Sequence, residues 1–208
     1  GDRRRKFRFG SGFDIDSKSM LDFFKRNKDK KGGFTFGGAS GPAFYSQSDV
    51  DFGGLKILDA NMSTSGCGVA AAAMALSNIK KTKITPKDLI DIAERHKIVG
   101  DGIEPNFFSE IGRVYGVDVQ FYKRHDIATA EVCKYLSKGN KHIVAMMEKD
   151  YNGKNRHYIY ARDAHDDHII FDDPASSQGK GQIMDAWHFT DYAVMFVVFI
   201  DKKSSIFG

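Results

Sequence analysis

Apolar positions along this chain follow two rhythms, one helical and one extended. The run from Cys67 to Asn78 is rich in Ala, Met and Leu, which predicts a helix. Thr85-Pro86-Lys87-Asp88 supplies a capping residue, a proline at the first helical position and an acid three residues on. A second helix is therefore expected to about Lys97. Helices are also expected over Pro105 to Tyr115, stopped by Gly116, and over Ala128 to Lys138, stopped by Gly139. Strands are expected over Val117 to Tyr122, His142 to Met147, His157 to Arg162, His168 to Phe171 and Ala193 to Ile200, where β-branched and aromatic residues gather. Helices lead and strands follow, so the expected fold is α+β with an antiparallel sheet, not alternating βαβ units.

Residues 1–42 break this pattern. A basic start, Arg3-Arg4-Arg5-Lys6, precedes a short amphipathic stretch from Ser17 to Arg26, then the glycine-rich run Lys31 to Pro42. They are expected to form an arm and linker with one short helix. The globular part is expected over residues 43–202, with a tail at 203–208. The opening Gly1, where a methionine would stand, reads as the start of a piece of a longer protein.

Composition narrows the class. The 208 residues are 41% hydrophobic and 28% charged, as in a globular domain with a core. The longest apolar run, Tyr192 to Ile200, is too short to span a bilayer. Net charge is +4, a mild preference for anionic surroundings. The basic arm lacks an ordered aromatic platform, so no specific nucleic-acid partner is expected.

Candidate chemistry centres on Cys67. It lies between Gly66 and Gly68 at the start of the first helix. The positive end of a helix favours a thiolate. The two glycines keep bulk away, so a substrate backbone can approach the sulfur, and both are candidate substrate-binding positions. Cys133 falls in a helical pattern and is most simply a small core residue. A thiolate nucleophile needs a base and a group to orient that base. His157 opens an apolar strand at its join with the polar loop 152–156. A hairpin from that strand to the next brings His157 near Asp172 or Asp173, and either carboxylate can fix the imidazole tautomer.

With these residues in view, the chain resembles the papain-like cysteine peptidases of the bacteriocin-processing family, in particular their stand-alone, transporter-free branch. The resemblance covers residues 44–200, about three quarters of the chain. It rests on Gln47-Ser48-Asp49, Ser65-Gly66-Cys67-Gly68, Met74-Ala75-Leu76-Ser77, Asp101-Gly102, Tyr115-Gly116-Val117, His157-Tyr158 and Asp172-Asp173-Pro174-Ala175. It implies a papain-like cysteine protease fold, with the cysteine on a central helix packed on an antiparallel sheet. It implies Cys67 as nucleophile, His157 as general acid and base, and Asp173 as the group that orients His157. Gln47 would be the side-chain donor of the oxyanion hole. Val69 departs from the family, which usually has proline there.

The remaining signals refine the expectation. His165-Asp166-Asp167-His168 has metal-ligating residue types but no second cluster, so a hairpin turn is expected and no metal or other cofactor. Trp187 is a candidate groove residue for substrate, set against core packing before the last strand. The expected reaction is hydrolysis of an amide bond by a Cys-His-Asp triad. The expected partner is a peptide or peptidoglycan, and the expected context a larger surface or phage virion protein that is extracellular, at the cell wall or virion-associated. The alternative is a non-catalytic peptide- or wall-binding module of the same fold.

Overall fold

The computed structural model describes residues 43–46, 56–57, 60–61, 66–96, 105–148, 157–175 and 177–201. The arm at 1–42, Gln47, Asp101-Gly102 and the tail at 203–208 lie outside them. Five described helices are α1 (Cys67–Lys80), α2 (Pro86–Arg95), α3 (Pro105–Tyr115), α4 (Thr129–Lys138) and α5 (Ala186–Tyr192). The strands are β1 (Lys56–Ile57), β2 (Ala60–Asn61), β3 (Asp118–Lys123), β4 (Lys141–Met147), β5 (His157–His165), β6 (His168–Asp172), β7 (Gln182–Asp185) and β8 (Ala193–Ile200). β1 and β2 pair with each other, and the other six form one sheet in the order β3-β8-β4-β5-β6-β7, each neighbouring pair antiparallel. Among the described residues no helix is long and apolar enough to cross a membrane.

Alternation along the central strands sends side chains to two cores. Val144, Tyr158, Tyr160, Val197 and Phe199 face α1, α2 and α3. Ile143, Ala145, Ile159, Ala161, Phe196 and Val198 face α4 and α5. The sheet is thus the middle layer of three.

α1 is buried almost all round, with Val69 to Leu76 fully enclosed. Its alanines let the helix axis lie close to the sheet. Buried Ser77 is satisfied locally: its hydroxyl donates to the Ile84 carbonyl (2.9 Å) and accepts from the Ile84 N–H (3.1 Å). Asn78 Nδ2 donates to the buried Tyr160 hydroxyl at 2.8 Å, which ties the helix to β5. The second helix starts as its sequence predicts: Thr85 and Asp88 cap each other reciprocally.

Most expected elements agree with the structure within two residues. Two do not. The β5–β6 hairpin is longer than expected, because β5 runs three residues further and turns through Asp166-Asp167 alone, with Asp166 at φ 51°. The segment before β8, where a groove residue at Trp187 was set against core packing and no element was expected, is a further strand and helix, β7 and α5.

Candidate active site

α1 begins at Cys67, with Gly66 as its N-cap. No side chain caps this end by a hydrogen bond, and the first turn holds no acid. The partial positive charge of the helix end is therefore not countered by a side chain of its own first turn. Gly66 has φ −87°, open to any residue, so its value at this position is small size. Cys67 is partly exposed and forms no disulfide.

His157 opens β5 and is 2% exposed. Its Nε2 lies 2.7 Å from Oδ1 of Asp173, and its ring also hydrogen-bonds the Cys67 side chain. Because Nε2 is taken by Asp173, Nδ1 is the nitrogen left for the sulfur. Burial by itself would lower the imidazole pKa. Hydrogen bonds and charge from Asp173 and Cys67 outweigh it and raise the value to about 9. The geometry suits an imidazolium held between the Asp173 carboxylate and the Cys67 sulfur.

Asp173 is 17% exposed, and its Oδ1 also accepts the Ala175 N–H at 2.9 Å. Its neighbour Asp172 is fully buried and turned elsewhere, toward Gly181 N–H (2.7 Å) and the Arg162 guanidinium (3.3 Å). Of the two carboxylates left open by the hairpin argument, Asp173 is the one beside His157. The Ser46 hydroxyl donates to the Pro174 carbonyl at 3.4 Å, so the segment leading to Gln47 touches the Asp173-Pro174 corner.

Cys67, His157 and Asp173 are thus brought together from α1, β5 and the loop after β6. Gly66 and Gly68 are buried beside the sulfur. Trp187 is not with them. It stands on α5, which packs on the opposite face of the sheet, where it lines a cleft of about 310 Å³ with His125, Thr129, Thr190 and Asp191. Position separates it from Cys67: Ala186 and Phe189 of its helix bury against β6 and β8, on the far side from α1. Cys133, on α4, lies on that far face too, and burial pushes its thiol pKa up. His165 and His168 flank the hairpin turn, with His168 paired to Asp167 (3.0 Å) and Asp185 (3.1 Å). Sequence reading missed Arg162 and Gly179, which bear on the Asp173 corner. The signal for Arg162 was a lone cation inside an apolar strand.

The model of the family described as Peptidase_C39 like matches residues 43–196. In three dimensions the chain is similar to the peptidase domain of Streptococcus ComA, a bifunctional ABC transporter involved in a quorum-sensing pathway. The TM-score is 0.51 and the identity 16%, over 67% of this chain and 93% of that one. A double-glycine motif protease from an AMS/PCAT transporter, solved in complex with its leader peptide, aligns with a TM-score of 0.46 and 18% identity, over 64% of this chain and 83% of that one. No curated protein matches the chain.

Proposed function

The chain belongs to the Peptidase_C39 like family and is a papain-like cysteine peptidase, and on that premise we propose that it cleaves peptide bonds through Cys67, His157 and Asp173. The observation that carries the reading is the chain of contacts from sulfur to imidazole to carboxylate, with 2.7 Å between His157 Nε2 and Asp173 Oδ1. The thiolate of Cys67 attacks the carbonyl carbon of the scissile bond. Negative charge then collects on the carbonyl oxygen, beside the Cys67 backbone N–H at the helix start, with the side-chain amide of Gln47 as the second donor that the family resemblance implies. His157 passes its proton to the departing amine, which leaves a thioester on Cys67. Neutral His157 next takes a proton from water, the hydroxyl oxygen adds to the thioester, and the acid leaves as the thiolate is restored. Asp173 holds the imidazole and offsets its positive charge throughout. No step needs a metal or an organic cofactor.

The substrate reading goes one step further. We infer peptidoglycan stem peptides or cross-bridges, cut by a module of a larger surface or virion protein outside the cell. The basic, glycine-rich arm favours it: such a segment suits a tether working near anionic wall polymers. The test is mass spectrometry of purified Gram-positive sacculi after incubation with wild type and with Cys67→Ala. New peptide termini are expected with wild type alone. Termini from the alanine variant would sink the nucleophile, whereas inert sacculi alongside cleavage of soluble peptides would sink only the wall substrate.

A further inference from the structure

β5 carries a bulge: Ala161 pairs with Phe171 and Asp163 with Ile170, so Arg162 is the extra residue between them. Bulges re-aim side chains and often sit beside active sites. Here the guanidinium is turned onto Asp172, the last residue of β6, whose side chain has no exposure. A buried ion pair of this kind is weak support for stability, since apolar replacements are often neutral or better. The pair is also imperfect. Among the described residues, Arg162 Nε and Asp172 Oδ2 find no hydrogen-bond partner. Some other demand accounts for the charges.

That demand is visible one residue on. Asp172 Oδ1 accepts the N–H of Gly181, which stands at φ 69° and would bring any Cβ to 3.4 Å from Arg162 Nη2. The same turn folds back on Asp173. The Asp173 N–H donates to the Gly179 carbonyl at 2.8 Å. A Cβ on Gly179 would overlap the Asp173 carbonyl oxygen and lie 2.8 Å from its carbon and 3.1 Å from its Cβ. The turn at 179–181 is therefore held by Asp172, with Arg162 packed beside Gly181, on one side and pressed against Asp173 on the other.

We propose that Arg162, Asp172 and Gly179 are positioning residues that set the Asp173 carboxylate onto His157 Nε2, Arg162 and Asp172 through the turn and Gly179 by direct backbone contact. The inference rests on the Cys67, His157 and Asp173 reading. His157 meets Asp173 from the loop after β6 and Cys67 from α1, while Asp172 meets Arg162 from β5 and feels Lys180 from the turn. If the corner slackens, His157 loses the partner that holds its proton.

The experiment follows the His157 titration by NMR of ring-labelled histidine in the whole chain, with melting temperature recorded alongside. Asp173→Asn serves as reference and is expected to lower the His157 midpoint by about one unit or more. Gly179→Ala and Arg162→Met are expected to lower it in the same direction, and Arg162→Lys less than Arg162→Met. Peptide turnover should fall with the midpoint, by about 100-fold for a displacement near 1 Å. A purely structural role would lower the melting temperature and leave the midpoint in place. That result in folded Arg162→Met overturns the inference, and it decides alone if Gly179→Ala fails to fold. An unmoved midpoint in Asp173→Asn would instead overturn the triad reading beneath it.

Discussion

His157 holds its proton because two polar partners outweigh its burial. Its pKa in the folded protein, about 9, lies above the ordinary value of 6.5. A base raised on folding adds stability that is complete below its unfolded pKa and disappears as pH climbs through its folded one. The His157 contribution is therefore expected in full below about pH 6.5 and gone above about pH 9. Activity should follow the same group. Once the imidazolium is lost, the leaving amine has no acid, so kcat/KM should fall on the alkaline side with an apparent pKa near 9. A pH–rate profile on any cleaved peptide checks it, and an alkaline limb near 6.5 would show that Asp173 does not support the ring. Glycines around the cysteine and a histidine opening a strand are legible in sequence, because each is a local pattern. The choice between Asp172 and Asp173 was not. It depends on a one-residue bulge at Arg162, and a bulge leaves no mark in composition.

At the scale of elements, the sequence was most legible where a local rule and a tertiary need agree. Thr85, Pro86 and Asp88 spell a helix start, and α2 begins there. Gly139 adopts φ 76° and ends α4. The alanine run of α1 is a strong helix former and also the narrow helix that a buried layer requires. β7 and α5 were illegible because they are short: four residues and seven residues hold too few periods to show a rhythm. Gly112 marks another packing constraint. It lies inside α3, where glycine lowers helix stability by about 0.8–1 kcal/mol relative to alanine. A Cβ there would meet the Val119 side chain and lie 2.8 Å from the Val117 carbonyl oxygen. α3 and β3 thus approach to a distance that only glycine allows. Gly112→Ala is expected to destabilise the fold by roughly 1–3 kcal/mol despite the better helix former, with the alkaline limb of the activity profile unmoved. Thermal melting reads the first and the pH–rate profile the second. A higher melting temperature would mean that the contact relaxes freely.

Across the whole molecule, charge is divided unevenly along the chain. Residues 1–40 contain 11 Lys and Arg against 5 Asp, a net charge of +6, so the remaining 168 carry a net −2 of the total +4. On net charge, any long-range attraction of the chain for an anionic polymer would come from the arm. Deleting residues 1–40 is therefore expected to separate the two properties. The melting temperature should move by no more than about 2–4 °C, the shift that 1 kcal/mol makes in a domain of this size. Turnover of a short soluble peptide should persist. Retention on anionic sacculi should weaken sharply at low salt and converge with that of the full chain at high salt, where charges more than a Debye length of about 3 Å apart are screened at 1 M. A large fall in melting temperature would show that the arm packs on the domain. Unchanged retention at low salt would place wall recognition in the peptidase itself and leave the arm without that task.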